Sequence, residues 1–209
     1  MNAATQHFTI DGPAGALACA LDPASAAAAT SRGLAVLCHP HPQHGGTMDN
    51  KVVATLARTC VQLGWDALRF NFRGVGGSAG AWDEGRGEVD DALAVIAARR
   101  APGQPLLLGG FSFGGYVASQ AAARLAEGQR AERLVLVGPA VQNFPMAPVP
   151  PDTLVVHGER DDVVPLAAVL DWARPQALPV VVVPGAGHFF HGQLALLKQI
   201  VLRAFGVPG

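Results

Sequence analysis

Six short apolar runs, residues 33–38, 65–72, 105–109, 133–137, 153–156 and 179–183, constrain the fold of this chain more than any other feature. Each is short and mostly apolar, the appearance of a strand covered by helices on both faces. Between them the apolar residues recur at three- and four-residue spacing, as in Val52, Val53, Leu56, Cys60 and Val61, or Val89, Ala92, Leu93, Ile96 and Ala97. Residues 114–125 and 192–205 also have a helical pattern. This alternation predicts an α/β fold, a doubly wound, mostly parallel sheet with helices on both faces. The first thirty residues differ. Residues 7–10 and 16–21 look like an antiparallel pair preceding the parallel part, and the alanine-rich stretch 24–30 is given no role. With 209 residues, no internal repeat and no linker, a single domain over residues 1–209 is expected.

Composition removes several classes of function. Half of the residues are hydrophobic and only 15% are charged, which excludes a solvating or disordered polypeptide. Fifteen Lys and Arg against sixteen Asp and Glu leave no basic surplus for a phosphate backbone, so no nucleic-acid partner is expected. No apolar run approaches the roughly 20 residues that span a bilayer, and the N-terminal segment lacks the basic-then-apolar pattern of a signal peptide. No membrane partner is therefore expected. Three cysteines make no disulfide framework; Cys38 and Cys60 sit in apolar runs and read as core residues of a reduced, cytoplasmic protein.

The chemistry centres on Gly110-Phe-Ser-Phe-Gly114, a G-x-S-x-G pentapeptide with a predicted strand running in and a predicted helix running out. Such a turn strains the serine backbone, and the flanking positions must be almost free of side chain, which Gly110 and Gly114 supply. It lifts the Ser112 hydroxyl clear of the sheet edge and sets it at a helix N-terminus, where free N–H groups favour negative charge. A serine needs a base, and the base needs an orienting partner. Two further strand ends offer them: the run at 153–156 continues into His157-Gly-Glu-Arg-Asp161, and the run at 179–183 continues into a Gly-rich loop ending at His188. Ser112, Asp161 and His188 thus all follow strand C-termini, the face on which open α/β sheets build their sites. Their order, nucleophile, acid, histidine, is that of the nucleophile-elbow architecture.

On these residues the chain resembles the α/β-hydrolase superfamily, and within it a small, uncapped bacterial group of predicted α/β hydrolases. The resemblance rests on the segments 39–51, 69–78, 110–115, 157–161 and 185–192, which spread over most of the chain from Gly33 onward. It implies the superfamily's fold and a serine hydrolase with Ser112, Asp161 and His188 as catalytic triad, while the substrate does not carry over. A small-molecule acyl substrate, no cofactor, and a monomer or homodimer are the accompanying expectations. Asp161 ranks ahead of Asp162 on its spacing from His157-Gly158, and His188 ranks ahead of His191, which stands where the next helix begins. In the superfamily the loop after the first parallel strand donates a backbone N–H to the oxyanion hole, usually after a His-Gly pair; here Pro40 replaces that glycine. Pro40 and Pro42 carry no N–H, so His41, with Phe113 behind the serine, is assigned the oxyanion hole.

The remaining features bear alternative readings. His39, His41 and His44 have spacings that could ligate zinc, although no acid interleaves them and the prolines stiffen the loop; His39 is otherwise a loop brace. Arg73 reads as a structural ion-pair residue, and Asp83, Glu84 and Glu88 as a solvated helix entry. Trp82, Phe144, Met146, Phe189 and Phe190 are candidate pocket residues. Only residues 138–152 stand where a cap would be inserted, too few for a helical lid. The expected reaction is hydrolysis of a small or accessible ester or thioester through an acyl-Ser112; a peptidase, an acyl transferase on the same triad, and a non-catalytic binding protein are its rivals.

Overall fold

A computed structural model describes residues 4–25 and 31–206. Most of the alanine-rich stretch 24–30 therefore lies outside the described residues. The chain forms eight strands, β1 (Gln6–Gly12), β2 (Gly15–Asp22), β3 (Leu34–Cys38), β4 (Asp66–Phe70), β5 (Leu106–Phe111), β6 (Arg133–Val137), β7 (Leu154–Gly158) and β8 (Val180–Val183). Five α-helices accompany them: α1 (Lys51–Gln62), α2 (Arg86–Arg99), α3 (Phe113–Arg124), α4 (Leu166–Ala173) and α5 (Leu194–Phe205). The strands make one sheet in the order β1-β2-β4-β3-β5-β6-β7-β8. β2 is antiparallel to both β1 and β4, and every pairing from β4 to β8 is parallel.

The unbroken apolar character of the central strands has a direct cause. Successive side chains point to opposite faces, and helices cover both. Val36, Leu68, Leu108 and Leu136 pack with Val89 and Ala92 of α2 and Val117 and Ala118 of α3. Their neighbours Ala35, Leu37, Leu107 and Val135 pack on the other face with Val52 and Leu56 of α1 and Leu197 and Val201 of α5. α1 starts where the Asn50 side chain accepts the Val52 N–H at 2.9 Å, and its buried stripe includes Val52, Val53, Leu56 and Cys60. The strand at this edge of the sheet departs from the expected pattern: Val181 and Val182 of β8 are each 37% exposed, because an outermost strand has a neighbour on one side only.

Two further expectations change. Glu88 is completely buried: its carboxylate accepts the N–H groups of Asp83 and Gly85 and closes the first turn of α2. Asp83 is half-buried and Glu84 exposed, so the acidic cluster is only partly a solvated face. Phe190, a candidate pocket residue, is wholly buried in the layer beneath α1 and α5. Arg73 is a structural residue, as its chemistry suggests. Its guanidinium meets the fully buried Asp91 at 2.7 Å, and its backbone N–H donates to the same carboxylate at 2.9 Å. Burial and these pairings together fix the loop after β4 against α2.

The sheet order reverses between β3 and β5: β4 lies on one side of β3, and β5 opens the run β6, β7, β8 on the other. Loops leaving such a reversal diverge and leave a crevice between them. One of these loops follows β3 and the other is the turn from β5 into α3 at Ser112.

Candidate active site

Ser112 joins β5 to α3 with φ 56° and ψ −119°, a conformation that costs a non-glycine residue about 1–3 kcal/mol. The flanking glycines show why the turn tolerates nothing larger. A Cβ on Gly110 would lie 2.0 Å from the Gly114 carbonyl oxygen, and one on Gly114 would lie 2.2 Å from that of Cys38. The elbow is pinned by its backbone: Ser112 N–H donates to the Val137 carbonyl at 2.9 Å, and Ala140 N–H to the Ser112 carbonyl at 3.3 Å.

Asp161 and His188 arrive on two loops knitted to each other. Arg160 N–H donates to the Ala186 carbonyl at 2.8 Å and Glu159 N–H to that of Val183 at 3.0 Å. Gly158 permits the approach, since a Cβ there would stand 2.4 Å from the Ala186 oxygen. The result is a continuous chain of contacts: Asp161 Oδ2 to His188 Nδ1 at 2.7 Å, and His188 Nε2 to Ser112 Oγ at 3.0 Å. All three residues are buried. Asp162 and His191 are exposed and take no part in this chain.

The other Asp161 oxygen accepts the backbone N–H groups of Val163 at 3.0 Å and Val164 at 2.7 Å. Burial raises the carboxyl's pKa, but the hydrogen bonds from His188 and Val164 and the adjacent imidazoles outweigh it. The group is held below the ordinary carboxylate range and stays ionised. Sequence reasoning assigned no role to one of those imidazoles. His157, fully buried at the end of β7, has Nε2 2.9 Å from the Val164 carbonyl and 3.5 Å from Asp161 Oδ2. Burial pushes its pKa down, against the pull of Asp161. Its position four residues before the acid was the available signal.

The three histidines of the loop after β3 turn in different directions. The His39 ring points into the interior, where Phe72 N–H donates to Nε2 at 3.1 Å and Nδ1 lies 2.7 Å from the Pro40 carbonyl. An N–H can only donate and a carbonyl only accept, so the ring is neutral with its proton on Nδ1. Burial lowers its pKa from 6.5 to about 4. With both nitrogens engaged, His39 braces the loop and has none left for a metal. His41 and His44 stack on each other with ring centroids 4.4 Å apart, and among the described residues no group of three His, Cys, Asp or Glu is placed to hold a metal ion. Neither the His41 nor the Phe113 N–H donates to a backbone carbonyl among the described residues. Because a trans peptide sets C=O and N–H on opposite sides, the bond from His39 to the Pro40 carbonyl also fixes where the His41 N–H points.

No helix or strand interrupts residues 138–153, between β6 and β7, so no helical lid is inserted there. Sheet order, elbow and open edge define the class: an α/β serine hydrolase without a cap. The chain belongs to the hydrolase family described as serine aminopeptidase, S33, whose model matches residues 29–152. That match includes Ser112 and ends before Asp161 and His188. A lidless α/β serine hydrolase from Xanthomonas campestris is 38% identical, with a TM-score of 0.88 over 98% of this chain and 94% of that one. An α/β serine hydrolase homologue from Coxiella burnetii is also 38% identical, with a TM-score of 0.81 over 95% and 96% of the two chains. An uncharacterized protein of Rickettsia prowazekii is 34% identical over 173 residues, 75% of this chain and 71% of that protein. No helix among the described residues is long and apolar enough to cross a membrane.

Proposed function

We propose that this hydrolase cleaves small or accessible carboxylic esters or thioesters through an acyl-Ser112 intermediate. The observation that carries the reading is the contact chain Asp161–His188–Ser112, at 2.7 and 3.0 Å. His188 Nε2 takes the hydroxyl proton as Ser112 Oγ bonds to the acyl carbon, and Asp161 holds the Nδ1–H tautomer and stabilises the imidazolium. The carbonyl oxygen becomes an oxyanion, held by the N–H groups of His41 and Phe113. Collapse of the tetrahedral adduct breaks the bond to the leaving oxygen or sulfur, which takes the proton from His188. Water then attacks the acyl-serine with His188 again as base, releasing the acid and restoring Ser112.

The strained Ser112 backbone supports this role, since strain kept at a buried turn pinned by backbone hydrogen bonds needs a purpose that an ordinary serine would not supply. The uncapped edge favours accessible acyl groups over long chains that need enclosure. Three free, buried cysteines support a reducing compartment such as the cytoplasm. Ser112→Ala is expected to abolish p-nitrophenyl acetate turnover and labelling by a fluorophosphonate. Labelling that survives in that variant would place the nucleophile elsewhere, and faster cleavage of an amide than of the matched ester would favour a peptidase.

A further inference from the structure

The aromatic residues of this chain are few and unevenly placed. There are nine Phe, three Trp and one Tyr, and most of them join ring contacts around the elbow. The two residues assigned to the oxyanion hole, His41 and Phe113, are themselves ring-bearing, with centroids 5.3 Å apart. The His41 ring also meets Trp82 at 4.5 Å and Phe144 at 5.8 Å, and Phe113 meets Trp82 at 5.1 Å and Phe144 at 4.9 Å. Phe113 is buried, forming the base, whereas His41, Trp82 and Phe144 keep part of their surface open. The three come from separate loops, after β3, β4 and β6. The last is tied to the nucleophile through Ala140, which bonds the Ser112 carbonyl and whose own carbonyl accepts the Phe144 N–H at 3.2 Å. A core edge built only for packing has no need to gather half-open rings from three loops beside one serine.

The direction of the reaction says which part of an ester would meet these rings. The leaving group must depart toward His188 Nε2, which protonates it, and His188 and Asp161 stand after β8 and β7. His41 and Trp82 stand after β3 and β4, across β5 in the sheet order. The acyl substituent shares its carbon with the oxyanion and points away from the departing group, so it extends toward the rings. Resting on the hydrolase reading above, we propose that the ledge of His41, Trp82 and Phe144 is an acyl subsite for a flat aromatic group, making the preferred substrate an ester of an aryl-substituted carboxylic acid. A planar ring gains offset or edge-on contacts there that a saturated ring of similar size does not.

Methyl phenylacetate and methyl cyclohexylacetate test this, because neither ring is conjugated to its carbonyl. The wild-type enzyme should show a kcat/KM about 3- to 10-fold higher for the phenyl ester, the range that ring–ring contacts supply. Trp82→Leu and, independently, Phe144→Leu should bring the ratio toward one, and Trp82→Phe should keep most of it. A wild-type ratio near one, or a ratio unmoved in both leucine variants, would overturn the subsite while leaving the hydrolase reading intact. If neither ester is turned over and Ser112 takes no fluorophosphonate, the hydrolase reading falls instead. The ledge is then read in Ser112→Ala by NMR: phenylacetate should shift the Trp82 indole resonance more than cyclohexylacetate does, and equal shifts would refute it.

Discussion

Replacing His39 with leucine should cost stability in a way that depends on pH, and the dependence identifies the cause. In the native protein the neutral ring joins the Phe72 N–H to the Pro40 carbonyl in a fully buried position. Leucine leaves both backbone groups unpaired, at about 2–6 kcal/mol for the two together. The ring's pKa falls from 6.5 to about 4 on burial, so the folded state binds this proton less readily than the unfolded chain. Its contribution is therefore complete above pH 6.5 and is lost as pH falls toward 4, at about 1.4 kcal/mol per pH unit and about 3 kcal/mol in all. The leucine variant has no such proton to take up. Urea unfolding followed by circular dichroism at pH 7.5, 6.5, 5.5 and 4.5 (about one pH unit apart) should show the gap between wild type and variant closing as the buffer becomes more acidic. A gap that stays constant across that series would refute the neutral, buried assignment of the ring. The same substitution releases the Pro40 carbonyl and with it the orientation of the His41 N–H. Turnover at pH 7.5 should fall toward the 10²–10³-fold typical of losing one oxyanion donor, and unchanged turnover would remove His41 from that role.

Two other substitutions probe separate parts of the molecule. Arg73→Met strands the wholly buried Asp91 carboxylate and should lower stability by about 3–5 kcal/mol in urea unfolding; Arg73→Met combined with Asp91→Leu should recover part of that loss. Asp161→Asn should reduce kcat for p-nitrophenyl acetate by roughly 10⁴-fold, and a rate within tenfold of wild type would mean that another group orients His188.

The layered architecture was legible in the sequence because helices on both faces leave apolar runs with little alternation, as at 105–109 and 133–137. The placement of Ser112, Asp161 and His188 on loops after strand C-termini was legible because each strand's apolar run stops just before a short polar or Gly-rich stretch. Long-range partnership was not. Glu88 looks like any acid at a helix entry, and only the fold shows two backbone N–H groups pointing into its carboxylate. Phe190 stands beside His188 and Phe189 in the chain, yet a φ of 51° turns its ring inward while Phe189 remains 45% exposed. His157 alternates inward on β7 and so reads as one more core position. Its closeness to Asp161 depends on the turn between them, which strand periodicity does not describe.

The short crossing from Val137 to Leu154 has a consequence for how such a protein can change. Selection among ligands has to be made by rigid walls that exist before anything arrives, since no moving cover assembles around the guest. Release should accordingly be quick, and a lipid–water boundary should bring no sudden rise in rate. A segment spliced into this crossing would roof the cleft without disturbing any strand register. Gated relatives could thus arise by lengthening one surface connection, with the contacts of Ser112, His188 and Asp161 left as they are.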